Sequence, residues 1–533
     1  MRNRKQRGSK AAANGGAWLE IPAAAALLGA LSAASVWWCF RQGFLLYYGD
    51  AQAHLNIARR ILDSRTPGYD QIGTVWLPLP HLLVLPFVRN DEWWRNGLAG
   101  AFPSAACFVL AGLFLYFAAR EVFESRAAAV AALGVLALNP NLLYLQSTAM
   151  TEPALLASLT GLLYFTVRFR RTQSLAPVAG AGLAGLAATL TRYEGWFVLP
   201  FAAAYFLIAA RKRRLAAAVL FSLLAGLGPL YWLAHNWWVY GNLFEFYNGP
   251  YSAKAIYQRA LDGGMARYPG DGDWIKAQAY FRKAAQYCLG RPLTWLIPAG
   301  LAAGLIRRVF WPALFLALPP FFYVWSMVTS GTPVFVPGLW PDSYYNTRYG
   351  LAALPLASLA AAALVPMAGR KWRAWTAAFV LAVAAGPWLL EPGPDAWICW
   401  KESRVNSQAR RAWTAEAAAY LRAHCGPGDG ILTSFGDLAA ILPQAGLPLR
   451  RILHEGNMPY WEAAVARPDL WLAERWAVAI SGDRVATAIL RAGRSGPHYR
   501  KVRMIAVKGG PVIEIYRRDD GQNSVYQGSR SEE

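Results

Sequence analysis

The sequence predicts a polytopic all-α membrane domain followed by a small C-terminal α/β domain outside the membrane, and three observations carry that expectation. Of the 533 residues, 56% are hydrophobic and only 16% charged, the balance of a chain that spends most of its length in lipid. Long apolar runs recur over residues 1–390. Beyond them, short strand-like runs alternate with helical patterning.

About 11 of the apolar runs approach the roughly 17–25 residues that a helix needs to cross a ~30 Å hydrocarbon core. They occupy 17–40, 97–119, 127–144, 153–167, 175–190, 196–210, 215–238, 293–306, 309–328, 351–367 and 374–390. The runs at 175–190, 196–210 and 293–306 are short. The first is too long for a signal-peptide core, and its small-residue stretch 23–26 precedes the aromatic part instead of following it, so it reads as a retained anchor.

Basic residues set the expected topology, because short loops rich in Lys and Arg stay cytoplasmic. Arg2, Arg4, Lys5, Arg7 and Lys10 precede the first run. Arg120 with Arg126, Arg168 with Arg170 and Arg171, the cluster 211–214, Arg307 with Arg308, and Arg370 with Lys371 and Arg373 follow. All fall at alternate junctions if the N-terminus is inside, and an odd number of spans then leaves the tail outside, in the bacterial periplasm or extracellular space. Much of the net charge of +22 is therefore a topology signal, which argues against a nucleic-acid partner.

The five cysteines form no CxxC and no zinc spacing. Cys39 and Cys107 sit within apolar runs as packing residues. Cys399 and Cys425 both fall on the expected outer side, where a disulfide is chemically allowed.

That side also holds the polar motifs. The first outer loop, about 41–96, opens with Gly49-Asp50, where Asp50 either caps the following helix or acts chemically, and His54 stands one turn on. Ala53, Ile57, Ala58 and Ile61 form an apolar stripe opposite Gln52, Asn56, Arg59, Arg60 and Asp63, so this helix is expected to lie along the membrane interface. Residues 76–87 carry three prolines and are too short to span, which suggests a second interfacial or re-entrant piece.

Glu152 precedes Pro153 at a helix start, where an acid complements the dipole. Arg192 and Glu194 share a tight turn and can simply pair, yet charged groups at membrane depth usually face a cavity. Arg348 is the one basic residue of an aromatic segment containing Tyr345 and Tyr349. A planar guanidinium there suits a phosphate, against the plainer reading of a side chain snorkelling from a helix end. The loop at about 239–291 reads either as a lid or as packing on the outer surface.

Taken together, Gly49-Asp50 with Ala58-Arg59-Arg60, the stretch Trp76-Leu77-Pro78-Leu79-Pro80-His81, Met150-Thr151-Glu152-Pro153, Arg192-Tyr193-Glu194-Gly195-Trp196 and Asn346-Thr347-Arg348-Tyr349 resemble the GT-C superfamily of membrane glycosyltransferases. The likeness is to the bacterial branch related to protein O-mannosyltransferases and the lipid A aminoarabinose transferase, over residues 1–390 as a transmembrane glycosyltransferase domain. The resemblance implies a polyprenyl-phosphate sugar donor, an acceptor hydroxyl on a protein, lipid or glycan, and Asp50 as catalytic base. Many members have an Asp-Glu pair where this chain has Asp50-Ala51. Glu152, with His54, is then the candidate for orienting the acceptor or holding a divalent cation such as Mg or Mn. Arg348 and Arg192 are the candidates for the donor phosphate, and Trp76, Tyr345, Tyr349 and Glu194 for contact with sugar or lipid.

Residues 391–520 are expected to form the outer α/β domain, with a helix at 412–423 and strands at 430–435, 475–481, 504–507 and 512–516. The 426–430 segment lacks the spacing and lysine of a phosphate loop and reads as a turn. Residues 521–533 are polar and Ser-rich, as disordered tails are. A transporter or lipid flippase is the rival reading, but it predicts charges near mid-membrane and related halves, and the sequence offers neither.

Overall fold

A computed structural model describes residues 2–329 and 332–519, and the expected disordered tail at 521–533 lies outside the described residues. Each apolar run read from the sequence is helical. Among the described residues, six helices are long and apolar enough to cross a membrane: Glu20–Arg41, Leu98–Phe123, Arg214–Tyr240, Trp311–Thr329, Thr347–Met367 and Arg373–Leu390. Two bent pairs raise the number to eight if each counts as one span, against the 11 or so expected. Arg126–Ala137 and Pro140–Gln146 meet at 64°, Trp274–Leu289 and Arg291–Ile306 at 108°. Asn139-Pro140 breaks the first pair and Gly290, at φ +81°, the second. Leu175–Thr189 and Tyr193–Ala209 are apolar but short. The second half of the expected 239–291 loop is thus a helix, Trp274–Leu289, whose Ala277, Phe281, Ala284 and Cys288 are buried.

The chain divides into two compact units. A helical unit takes the described residues up to Leu45, then Thr74–Leu83 and Gly100–Ser403; a sheet-bearing unit takes Leu46–Gly73, Val84–Ala99 and the described residues from Arg404 on.

Within the helical unit, small residues let helices approach, which is how helices associate where lipid removes the hydrophobic drive. Gly300 packs directly on the Ala360 backbone, and Gly182 and Gly185 of Leu175–Thr189 lie against Leu224 and Ala225. Thr347–Met367 is the central element, with 78% of its apolar window buried, whereas Arg373–Leu390 is peripheral at 17%. Two of the basic clusters read as a topology signal meet acids at helix ends. Glu20 faces Arg120 and Arg126, Glu121 lies 2.9 Å from Arg168, and Glu124 pairs with Arg171.

The sheet-bearing unit carries β1 (Ile431–Thr433), β2 (Ile452–Leu453), β3 (Trp476–Ile480), β4 (Tyr499–Ala506) and β5 (Val512–Arg518) in the order β2-β1-β3-β5-β4. The first three are parallel, and β5 joins β3 antiparallel. Leu432, Leu453, Trp461, Ala477, Val485, Ile489 and Tyr516 form the core. Asp483 caps Arg484–Ser495 by accepting from the Ala486 amide at 2.7 Å. The 426–430 segment is a turn, closed by the Gly426 amide donating to Asp429 at 2.8 Å.

Helix Gly49–Leu62 belongs to this second unit, and part of its polar side is buried against protein. Asn56, Arg59 and Asp63 are buried. Asn56 donates to the Ala439 carbonyl at 2.9 Å and accepts from Trp94 at 3.0 Å. Arg59 reaches Asp63 and Asp91, and Asp63 accepts from the amides of Leu449 and Arg450 at 3.2 and 3.3 Å. Polar residues that alternate with an apolar stripe look solvated in sequence; here the C-terminal chain and the segment around Asp91 and Trp94 supply their partners.

The Gly300 contact makes a direct prediction. Gly300→Val drives a branched side chain into backbone, at a cost of about 1–3 kcal/mol, and lowers the thermal midpoint of the detergent-solubilised protein. Gly386→Ala, whose added carbon meets no heavy atom within 4 Å, leaves the midpoint unchanged.

Candidate active site

The helical unit gathers Glu152, Arg192, Glu194, Arg348 and Tyr349 into one buried network, and adds two residues that the sequence did not single out, Glu402 and Tyr323. Glu152 stands in the first turn of Glu152–Thr172, with Pro153 at a position where a missing N–H costs nothing. Its dipole role is therefore real, but the carboxylate does more. Oε1 accepts from Arg192 Nη1 at 3.2 Å and from Arg348 Nε at 3.1 Å. Oε2 is buried with no hydrogen-bond partner among the described residues.

Arg192 precedes helix Tyr193–Ala209 in extended backbone, which turns its side chain back over the start of that helix. Nε donates to Glu194 at 2.7 Å, Nη1 also reaches Thr151 at 2.8 Å, and Nη2 donates to the Tyr323 hydroxyl at 3.0 Å. Tyr323 in turn donates to Glu194 and stacks on Tyr349 with ring centroids 4.6 Å apart. The simple Arg192–Glu194 pair read from sequence exists as part of this larger set.

Arg348 sits in the 3-10 turn Thr347–Ala353, entered through Asn346 at φ +55°. The guanidinium is only 7% exposed, so it does not snorkel. It donates to Glu402 at 3.1 Å, and Glu402 also accepts from the Asn346 amide at 3.0 Å and from Thr347. Both guanidinium groups lie over the Tyr349 ring, at 5.1 and 5.3 Å from its centroid. Two guanidinium groups thus face three carboxylates, and every charge has a partner, as burial requires.

Tyr345 is exposed and pairs backbone to backbone with Phe335, and Trp76 is exposed in the helical unit. Asp50 and His54 share helix Gly49–Leu62 in the sheet-bearing unit. The residue capping that helix is Tyr48, so Asp50 is a first-turn acid and not a cap. Next to it, Arg410 Nη2 donates to the Tyr47 carbonyl at 2.7 Å, and the Arg411 guanidinium covers the Tyr47 ring at 4.0 Å. His54 is buried.

No group of three or more His, Cys, Asp or Glu side chains arranged to hold a metal occurs among the described residues. Glu152 Oε1 is taken by two arginines. None of the five cysteines forms a disulfide among the described residues. Cys425 sits against Arg451 at 3.1 Å, and the Cys399 amide donates to Asn141 at 2.9 Å.

Glu402 was legible in principle. Helix Ile398–His424 begins 14 residues before the expected 412, and extending the pattern back places Cys399, Glu402 and Ser403 together on its buried side. Tyr323 lies inside an apolar span and gives no such signal.

Comparison with known proteins bears on this architecture. The family model of dolichyl-phosphate-mannose-protein mannosyltransferases matches residues 94–238. None of the curated proteins matches the sequence. The crystal structure of ArnT from Cupriavidus metallidurans bound to undecaprenyl phosphate superposes with a TM-score of 0.53 at 13% identity, covering 94% of this chain and 98% of that one. The apo state of ArnT gives 0.52 at 14% identity, covering 87% and 92%. An apo oligosaccharyltransferase from Archaeoglobus fulgidus gives 0.47 at 14%, over 86% and 69%, below the level at which a shared fold follows. The chain is an integral-membrane protein with the fold of ArnT.

Proposed function

We propose that this protein is an inverting membrane glycosyltransferase that moves a sugar from a polyprenyl-phosphate donor to an acceptor hydroxyl on the outer face of the bacterial inner membrane. The observation that carries the reading is the superposition, over 94% of the chain, on a structure that holds undecaprenyl phosphate. Asp50 takes the acceptor hydroxyl proton as the oxygen attacks the anomeric carbon, and the bond to the donor phosphate breaks in the same displacement, which inverts the configuration. Charge then builds on the departing phosphate. Arg348 and Arg192 meet it through charge-assisted hydrogen bonds, with Glu152 as the carboxylate that holds both guanidinium groups until the phosphate shares them. Residues 1–390 supply the transferase domain and 391–520 an outer-side domain.

Three measurements test this. With a panel of radiolabelled undecaprenyl-phosphate hexoses and pentoses in proteoliposomes, wild type releases sugar from at least one, and Asp50→Asn turns over about 10²–10⁴-fold more slowly. Wild-type turnover by a folded Asp50→Asn defeats the base assignment. Arg348→Ala leaves Glu152 and Glu402 short of a buried counter-charge and costs about 3–5 kcal/mol in stability, read as a lower thermal midpoint; Arg348→Lys keeps the charge and lies between. For orientation, a cysteine introduced beyond residue 392 is labelled by a membrane-impermeant maleimide in intact cells whose outer membrane has been permeabilised, and protection there overturns the topology.

A further inference from the structure

Arg410 is the feature of the sheet-bearing unit that the proposed chemistry has not used. It lies on helix Ile398–His424 and is half-buried, far in sequence from the first loop, yet it packs on the backbone that introduces Asp50. Nη2 donates to the Tyr47 carbonyl at 2.7 Å. Nη1 occupies the space of the side chain that Gly49 lacks: a carbon added there would stand 2.6 Å from it. Nε is buried without a hydrogen-bond partner among the described residues. The carboxylates in electrostatic reach are Asp50 and the exposed Asp437, with Arg411 opposing them.

This arrangement explains why a glycine precedes the acid. Any side chain at position 49 would push the guanidinium away from the turn that ends in Asp50. It also gives the C-terminal chain a task. Arg411 stacks on Tyr47 beside the same turn, so two consecutive residues of one long helix grip the residues just before Asp50.

We propose that Arg410 is a positioning residue for Asp50, fixing the backbone entry to helix Gly49–Leu62 and, through it, where the carboxylate is presented. The proposal rests on Asp50 acting as the base. A base must lie within hydrogen-bond reach of the proton that it removes, so the turn that delivers the carboxylate decides whether it can act. A guanidinium bound to the Tyr47 carbonyl and packed against Gly49 sets that turn before substrate arrives.

The test uses the full-length protein in proteoliposomes, with the undecaprenyl-phosphate sugar that wild type turns over. Arg410→Ala lowers kcat roughly 10–100-fold, with KM for the donor and the Kd for undecaprenyl phosphate within about threefold of wild type. Arg410→Lys restores part of the rate, and guanidinium ion added to Arg410→Ala restores part of it as well. Gly49→Ala reproduces the kcat loss with every charged group in place, which keeps the proposal testable if Arg410→Ala fails to fold. Wild-type kcat in a folded Arg410→Ala, or in Gly49→Ala, overturns the positioning role while leaving Asp50 untouched. Wild-type turnover by Asp50→Asn overturns the base itself. An Arg410→Ala whose loss lies wholly in KM makes Arg410 a substrate contact and overturns the proposal too.

Discussion

One oxygen atom, Glu152 Oε1, accepts hydrogen bonds from two arginines that arrive on different elements of the helical unit. Removing a carboxylate or a guanidinium from water costs several kcal/mol per ion, and only close, well-directed partners return that energy. The arrangement is therefore self-reinforcing. The start of Glu152–Thr172, the turn before Tyr193–Ala209, the 3-10 turn at 347–353 and the beginning of Ile398–His424 each contribute a charge that the others need. No one of these elements can move without leaving a buried charge uncompensated. Tyr323 extends the same logic, since its hydroxyl accepts from Arg192 and donates to Glu194.

The sheet-bearing unit solves a related problem with polar groups in place of a charge cluster. Helix Gly49–Leu62 buries Asn56, Arg59 and Asp63, and each finds its partners on segments distant in sequence. Asn457 adds two bonds to the loop that follows, to Ser64 and Thr66 at 2.9 Å each, and Gln71 donates to the Gly456 carbonyl at 2.7 Å. The residues around Asp50 are thus shaped by the C-terminal third of the chain. Asn56 and Asp63 are the clearest case, because neither has an apolar alternative that would leave the same backbone groups satisfied.

What the sequence disclosed follows the range over which each signal acts. Apolar runs are local, so every one of them proved to be a helix; whether a run crosses a membrane alone depends on breaks such as Asn139-Pro140 and Gly290, which change direction without changing composition. The α/β character of residues 430–518 was legible from alternation, while β2, two residues long, was not. Among the candidate residues, Glu152, Arg192, Glu194 and Arg348 stood out because charges beside apolar runs are rare, and the structure brings them together. Glu402 and Arg410 escaped because their helix is polar throughout, where one more acid or arginine is ordinary until its partner is known. The partners of the polar face of Gly49–Leu62 escaped for a related reason: periodicity tells which residues share a face, and only tertiary contact tells what that face meets.

The bond between Asp63 and the Leu449 amide joins residues 386 positions apart. At the usual pace of translation, about 5–20 residues per second, roughly 20–80 s separates the emergence of the first from that of the second. Through that interval the helices between them enter the bilayer while the segment bearing Asp50 waits with Asn56 and Asp63 short of their final partners. Membrane insertion and completion of this loop are therefore separate events in the life of the nascent chain. A ribosome that stops early leaves spans in the lipid and a loop that nothing has yet shaped.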